Sequence, residues 1–434
     1  MEKILVIGKG ISGKGASKLL KDLGFRTYVV DDKKKFGFSY LKQKLFDGLS
    51  MVVVSPGVEL SHELVVEAKK RGIEVVGELE FASRYLVSDN IAITGTNGKT
   101  TTTSLVGHLL SGGQRTVRVA GNIGKALSTV VLDSTMLDIT VIEVSSFQLE
   151  TICYFKPKIA CLLNISEDHL NRHKTMENYI KTKFRIFENQ EPYDKAILNL
   201  DDPIIMGQDL TAIKSEVFFF SLKTECKGCY LKDGKIYFND GNQTKFVMDE
   251  SLIALKGKHN IANALAGILA SILIGETIEN ICLRMPSFKG AKHRLEYVAE
   301  INGVTFINDS KATNISSTIV AMQAMTEHFS IILGGSDKGY EFDKLFEDKN
   351  PLLKNVIVLG ETKQKILDSA GRQGVSNVYE VKSFKDAVNL AYELSESGET
   401  VLLSPACASF DMFTSYEQRG DVFCNIVRGL KDKT

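Results

Sequence analysis

Ile91-Ala92-Ile93-Thr94-Gly95-Thr96-Asn97-Gly98-Lys99-Thr100 decides how this chain is read. A short apolar run leads straight into a glycine-bearing loop, and a helical stretch leaves it. Glycines let backbone N–H groups curl around phosphate oxygens, and the helix N-terminus adds a favourable dipole. The lysine neutralises charge on the β- and γ-phosphates, and Thr100 reaches Mg²⁺. The loop is shorter than the GxxxxGK[ST] form unless Ala92 is aligned with its first glycine, which separates it from ordinary P-loop GTPases. The alternative, a surface turn before a helix, leaves the joint occurrence of strand, loop, Lys-Thr and helix unexplained.

Outward from this loop, glycine-punctuated apolar runs alternate with helical stretches, the pattern of parallel α/β sheets. Upstream, strands are predicted at 4–7, 28–30 and 51–54, the last stopped by Ser55-Pro56-Gly57. An amphipathic stretch runs to Leu23, and Ser88-Asp89-Asn90 reads as a short linker closing a first unit. Downstream, strands are predicted at Ile139–Glu143 and 158–164. An antiparallel insertion is expected over about 217–250, turning at Asp233-Gly234, and a small-residue helix over about 260–273. A third unit begins near 293, with a hairpin at Asn302-Gly303 and strands at 330–333, 355–359 and Thr400–Leu403.

Composition narrows the class. With 434 residues the chain is long enough for two or three domains. Fifty-three basic and 53 acidic residues cancel, which argues against a nucleic-acid partner. Seven scattered cysteines suit a reducing compartment. Cys226-Lys227-Gly228-Cys229 lacks a second ligand pair for zinc and reads as a surface hairpin. No apolar run approaches membrane-spanning length, and residues 1–8 read as a strand rather than a signal peptide. A cytoplasmic location with no membrane partner is expected.

Mg²⁺ takes oxygen ligands, usually with one or two carboxylates. Glu143 ends a predicted strand, where parallel sheets place ligand-binding groups, and Asp168-His169 follows the next strand. A structural ion pair for Glu143 and a plain loop histidine for His169 are the alternatives. On the helix near 179–188, Tyr179, Lys183 and Ile186 share an inward row, whereas Lys181 falls on the polar side. An inward lysine is usually snorkelling or ion-paired. Burial would also lower its pKa and free the amine to react with CO₂.

Ordered motifs along the whole chain resemble the Mur ligases. They are Gly95-Thr96-Asn97-Gly98-Lys99-Thr100-Thr101, Gly121-Asn122-Ile123-Gly124, Glu143-Val144-Ser145-Ser146-Phe147-Gln148-Leu149, Asn164 with Asp168-His169, and Lys183. Gly257-Lys258-His259-Asn260 with Asn263-Ala264, His293-Arg294, residues 308–314 (Asn-Asp-Ser-Lys-Ala-Thr-Asn) and 404–411 (Ser-Pro-Ala-Cys-Ala-Ser-Phe-Asp) complete the set. The phosphate loop and the His-Asn-x-x-Asn motif look common to all Mur ligases and to folylpolyglutamate synthases. The last two segments look specific to the D-glutamate-adding branch.

The resemblance implies a three-domain α/β protein. A Rossmann-like UDP-binding domain would span 1–90, and a central P-loop ATPase-like parallel sheet with an antiparallel insertion 91–292. A Rossmann-like amino-acid-binding domain would span 293–434. It implies an ATP-dependent ligase of peptidoglycan-precursor synthesis that adds D-glutamate to UDP-N-acetylmuramoyl-L-alanine through an acyl phosphate and a tetrahedral intermediate. A monomer acting on these small molecules is expected.

In that family, Lys99, Glu143, His169 and Lys183 would be catalytic. Gly95, Thr96, Asn97, Gly98, Lys99, Thr100 and Thr101 would hold the ATP phosphates, Asn260 and Asn263 would face adenine, and Arg294 and Asp309 would reach ATP from the third domain. Two Mg²⁺ ions would be placed by Thr100, Glu143, His169 and Lys183, the last as a carbamate. Asn122, Ser145 and Gln148 would line the muramoyl-peptide channel. Lys311, Thr313, Lys338, Ser409 and Phe410 would hold D-glutamate.

Gly8-x-Gly10-x-x-Gly13 with Asp31 has three readings: an NAD fingerprint, a UDP-diphosphate cradle as in this family, or glycines kept for helix–sheet packing. The family reading places Ser12, Asp31 and Gly57 near the uridine, with Asp32 and Lys33 close by. Competing functions are the same ligase with another amino acid or with folate, an NAD-dependent dehydrogenase built on residues 1–90, and a P-loop switch without ligase chemistry.

Overall fold

The computed structural model describes residues 2–31, 45–113, 115–255, 257–290, 292–337, 339–348 and 350–431. Asp32, Lys33 and Lys338 lie outside the described residues. The chain divides into two compact units, residues 1–254 with 258–288, and 255–257 with 289–434. Among the described residues the first unit holds two sheets and the second holds one.

The first sheet contains β1 (Lys3–Ile7), β2 (Arg26–Val30), β3 (Leu49–Val54) and β4 (Glu74–Gly77), all parallel, in the order β2-β1-β3-β4. The helix Ile11–Asp22 buries Gly13, Ala16, Leu19 and Leu20 against it. At Gly13 a Cβ would lie 1.9 Å from the Gly8 carbonyl oxygen, so close helix–strand packing is reason enough for glycine there.

The second sheet contains β5 (Asp89–Thr94), β6 (Val117–Gly121), β7 (Ile139–Glu143), β8 (Ile159–Leu162), β9 (Lys195–Asn199), β10 (Glu216–Ser221), β11 (Gly228–Lys232), β12 (Lys235–Asn239) and β13 (Thr244–Asp249). Their order is β13-β12-β11-β10-β9-β8-β5-β7-β6. Strands β5 to β11 pair in parallel, and only β11-β12-β13 run antiparallel. Every residue of β7 is buried, as expected of a strand covered on both faces.

Three sequence expectations change. Ser88-Asp89-Asn90 is not a loose linker: β5 starts at Asp89, and the buried Ser88 hydroxyl meets Thr140 Oγ1 at 2.7 Å. The segment expected as an antiparallel insertion does carry the antiparallel strands β11-β12-β13, turning at Asp233-Gly234, but it extends the main sheet, and its first strand, β10, is parallel to its neighbours. Cys226-Lys227-Gly228-Cys229 is not a surface hairpin. It leads into β11, where Cys229 is buried, and the Phe219 N–H donates to the Lys227 carbonyl.

Two carboxylates tie the first sheet's last helix, Glu78–Ser83, to the second-sheet segments. Glu80 is fully buried and accepts the N–H groups of Cys153, Tyr154 and Phe155 at 2.8, 3.0 and 3.0 Å, while pairing with Arg84. Glu78 accepts the Ser128 N–H at 2.7 Å, and burial raises its pKa. Three N–H donors and a guanidinium offset the cost of burying the Glu80 charge.

The sheet of the second unit contains β14 (Glu296–Ile301), β15 (Val304–Asn308), β16 (Phe329–Gly334), β17 (Leu353–Leu359), β18 (Val378–Glu380) and β19 (Thr400–Leu403), ordered β14-β15-β19-β16-β17-β18. Only β14 is antiparallel. It joins β15 through Asn302-Gly303, both left-handed in φ, as the hairpin signal predicts.

Candidate active site

The phosphate loop leaves the C-terminal end of β5, between β7 and β8. The helix that follows, Lys99–Leu110, is capped by Gly98 in a left-handed conformation. The left-handed φ of 82° favours glycine at Gly98, and a Cβ there would also lie 2.3 Å from Asn263 Oδ1 on the helix Lys258–Leu273. That approach brings Asn263 to the loop, and Asn263 Nδ2 lies 3.5 Å from Asn260 Oδ1. Asn164 cross-braces the loop: the Asn97 N–H donates to its Oδ1 at 2.8 Å and its Nδ2 donates to the Asn97 carbonyl at 3.1 Å. The Thr96 hydroxyl meets Tyr179 Oη at 3.1 Å and accepts the Ser166 N–H at 3.0 Å. Thr100 and Thr101 are both buried.

Lys99 turns back on its own loop, donating to the Gly95 and Thr96 carbonyls at 2.8 and 2.7 Å. Lys183 comes from the helix Met176–Phe184. It is 1% exposed, and its Nζ donates to the Gly95 carbonyl at 2.7 Å, with the Tyr179 ring 4.8 Å away. Burial, reinforced by the charge of Lys99, pushes its ammonium pKa well below the ordinary lysine value, and Asp168 pulls the other way. The inward row read from the sequence is therefore the observed one, and it ends on the phosphate loop.

Glu143, at the end of β7, is also 1% exposed. Asn122 orients it twice: the Asn122 N–H donates to the Glu143 carbonyl and its Nδ2 donates to Glu143 Oε1, both at 2.8 Å. His169 takes a left-handed backbone conformation (φ 54°) at the N-cap of the short helix Leu170–His173, a conformation uncommon for a non-glycine residue. Its ring lies 4.7 Å from that of Phe147, and its Nε2 lies 3.5 Å from Asp168 Oδ2. Among the described residues no three His, Cys, Asp or Glu side chains cluster as a ready-made metal cage. The buried Glu143 carboxylate and the Thr100 hydroxyl on the phosphate loop are oxygen donors of the kind that Mg²⁺ takes alongside phosphate oxygens and water.

Ser145 and Gln148 are committed to each other through a capping box on the helix Ser146–Leu149. Ser12 lies in the first turn of the helix Ile11–Asp22, Asp31 follows β2, and Gly57 is exposed after β3.

In the second unit the remaining motifs gather at the C-terminal ends of β15 and β19, as expected for parallel sheets. The Asp309 N–H donates to the Leu403 carbonyl at 2.7 Å, and Ser404 Oγ donates to Asp309 Oδ2 at 2.8 Å. Burial raises the Asp309 carboxyl to about 6, opposed by the Arg294 guanidinium and the Ser404 hydroxyl. Lys311 Nζ stands 5.6 Å over the Tyr416 ring, and the Lys311 N–H donates to the His293 carbonyl, next to Arg294. Thr313 lies in the turn before the helix Ile315–Gln323. Ser409 is buried, while Phe410 is 73% exposed.

Arg419 carries no signal in the sequence. Almost wholly buried on the helix Tyr416–Lys431, it donates to the Ser310 hydroxyl and carbonyl at 2.9 and 2.8 Å and to the Cys407 carbonyl at 3.0 Å. One guanidinium thus joins segments 308–314 and 404–411. Burial lowers its pKa to about 10. Its acceptors are chiefly backbone carbonyls far away in sequence, which leave no local motif to read.

This arrangement has counterparts in known proteins. Residues 93–271 match the Mur ligase middle domain, and residues 293–407 match the Mur ligase, glutamate ligase domain. Among solved structures, the chain resembles UDP-N-acetylmuramate-alanine ligase MurC from Thermotoga maritima, with a TM-score of 0.63 at 18% identity, covering 99% of this chain and 100% of that one. It also resembles MurF ligase from Thermotoga maritima in complex with ADP, with a TM-score of 0.59 at 17% identity, covering 91% and 92%. Relatives called UDP-N-acetylmuramoylalanine--D-glutamate ligase are closer in sequence. The one from Thermoanaerobacter sp. (strain X514) is 42% identical, covering 99% of both chains. The one from Caldicellulosiruptor bescii is 44% identical, covering 99% of this chain and 98% of its own. Likeness of this extent, reaching from the first sheet to the last helix, makes the chain a member of the Mur ligase family.

Proposed function

We infer that this protein is an ATP-dependent ligase that joins D-glutamate to UDP-N-acetylmuramoyl-L-alanine in peptidoglycan-precursor synthesis. The observation that carries this reading is the end-to-end likeness to relatives named for that reaction. The phosphate loop, two lysines and a buried carboxylate supply the fitting chemistry.

In the proposed reaction, N–H groups around residues 97–100 and Lys99 hold the β- and γ-phosphates. The substrate carboxylate attacks the γ-phosphorus, and ADP leaves. The D-glutamate amine then attacks the resulting acyl phosphate, and the tetrahedral intermediate expels phosphate to leave an amide. Thr100, Glu143 and His169 would hold Mg²⁺, with two ions expected, and Lys183 would join them as a carbamate. Bound Mg²⁺ would supply neutralising charge for the phosphoryl oxygens. Lys183 supports the carbamate reading by its burial beside the loop and its lowered pKa, because a neutral amine is the form that adds CO₂.

Asn260 and Asn263 would face adenine, and Arg294 and Asp309 would contact ATP. Ser12, Asp31 and Gly57 would receive the uridine end, and Asn122, Ser145 and Gln148 the muramoyl-peptide. Lys311, Thr313, Lys338, Ser409 and Phe410 would hold D-glutamate, the lysines answering its carboxylates. We further propose a cytoplasmic monomer. Among the described residues no helix is long and apolar enough to cross a membrane.

Phosphate release measured with ATP, Mg²⁺ and UDP-N-acetylmuramoyl-L-alanine tests the function. Release should depend on D-glutamate and be negligible with L-glutamate. Product formed only with an L-amino acid would overturn the substrate assignment.

A further inference from the structure

The proposed reaction gives Arg172 no role, yet its guanidinium is among the most heavily engaged in the first unit. It belongs to the helix Leu170–His173, three residues after His169. On one side, Nη1 donates to the Pro56 carbonyl at 3.0 Å and Nη2 to the Val58 carbonyl at 3.1 Å. On the other, Nε lies 3.1 Å from both Glu150 oxygens, and Nη2 donates to Glu150 Oε2 at 2.6 Å. Its Cζ stands 4.5 Å over the Phe147 ring, the ring that also packs on His169. Arg172 and Glu150 side chains are only 12% and 14% exposed, so water competes little for these bonds.

These partners belong to three parts of the proposed substrate path. Pro56 and Val58 flank Gly57, assigned to the uridine end. Glu150 directly follows the helix whose capping box is Ser145 with Gln148, assigned to the muramoyl-peptide. Phe147 and the Arg172 backbone lead to His169, assigned to the phosphoryl centre. Glu150 also faces His173 Nδ1 at 3.6 Å, and His173 Nε2 meets Ser146 Oγ at 3.0 Å, so the two short helices are braced together on Glu150.

We propose that Arg172 is a positioning residue for the UDP-muramoyl substrate. Its planar fork fixes the 56–58 turn relative to Glu150 and the His169 turn. That sets the distance between the site for the nucleotide end and the site where the substrate carboxylate reacts. A lysine carries the same charge but cannot span acceptors on two sides in one plane. The inference rests on the proposed function, because it concerns where that substrate lies.

The test uses the full-length chain with Arg172→Lys and Arg172→Ala. Three quantities separate positioning from general stability: calorimetric binding of UDP-N-acetylmuramoyl-L-alanine without ATP, binding of a fluorescent ATP analogue, and phosphate-release kinetics. In Arg172→Lys, kcat/KM for the UDP substrate should fall about 10- to 100-fold, within what a misplacement of about 1 Å can cost. ATP-analogue binding should stay within twofold. Arg172→Ala should lose more and recover partly in dilute guanidinium. Unchanged UDP-substrate binding and kcat/KM in Arg172→Lys would overturn the proposal, as would an equal loss of ATP binding. If Arg172→Ala does not fold, Arg172→Lys decides alone. A wild-type chain inactive on these substrates would remove the functional reading and this inference with it. An active wild type with an unaffected Arg172→Lys would remove the inference only.

Discussion

The Nζ atoms of Lys99 and Lys183 converge on one oxygen, the Gly95 carbonyl, at 2.8 and 2.7 Å. Burial and the neighbouring Lys99 charge both favour the neutral amine of Lys183, the form that adds CO₂. Lys183→Met should remove a buried amine whose desolvation is unfavourable and raise the Tm of the ligand-free protein, while lowering kcat about 100-fold or more. Calorimetric melting and phosphate release check both halves. A variant that melts lower and keeps its activity would contradict the argument.

The carbamate has its own test. Lys183→Ala should be inactive and regain part of its rate when a short-chain carboxylic acid is added, since the acid replaces the missing anionic oxygens. An Ala variant of wild-type activity would end the carbamate role.

Glu143 should matter to the nucleotide only through metal. Glu143→Gln keeps shape and the contact with Asn122 but loses the charge. ATP affinity in Mg²⁺ should fall about tenfold or more, while affinity in EDTA stays nearly unchanged. Titration of a fluorescent ATP analogue under both conditions decides it.

Asp309 predicts a pH effect on stability. Its carboxyl is raised to about 6 in the fold, above the value of 3.8 for a free side chain, so folding takes up a proton between these limits. Its stabilising contribution is complete below about pH 4 and is lost as pH rises through 6. Asp309→Asn should remove that loss. Between pH 4.5 and 7.5 the wild type should weaken relative to the variant, by up to about 2–3 kcal/mol in urea unfolding. Parallel pH profiles for the two proteins would refute burial of Asp309 as the cause.

Arg419 should act on the amino-acid substrate. Arg419→Lys cannot hold Ser310 and Cys407 together, so KM for D-glutamate should rise at least about tenfold, with ATP binding little changed. Steady-state kinetics at saturating ATP provide the measurement.

These cases show where sequence is informative. Glycine placement, β7 ending on Glu143 and the Tyr179–Lys183–Ile186 row are local patterns, and each marks a real position in the fold. The helix Lys258–Leu273 was also readable, because small residues at helical spacing announce close packing. Arg172, Arg419 and Glu80 were not. Many of their partners are backbone groups, including those of Pro56, Cys407 and Tyr154, which any residue type can supply. The parallel pairing of β10 was equally hidden, since Glu216–Ser221 has the composition of either kind of strand and its neighbours decide.

Glu78, Glu80 and Arg172 fasten segments of the first sheet to segments of the second within one compact unit. On the site assignments proposed above, an inhibitor with a uridine-like head and a triphosphate-mimicking tail would therefore meet two anchor points whose separation the protein already maintains. Once one end is bound, the other faces an effective concentration set almost entirely by the linker, about millimolar for a short linker of matching span. Linker length, more than the affinity of either end, becomes the quantity to optimise.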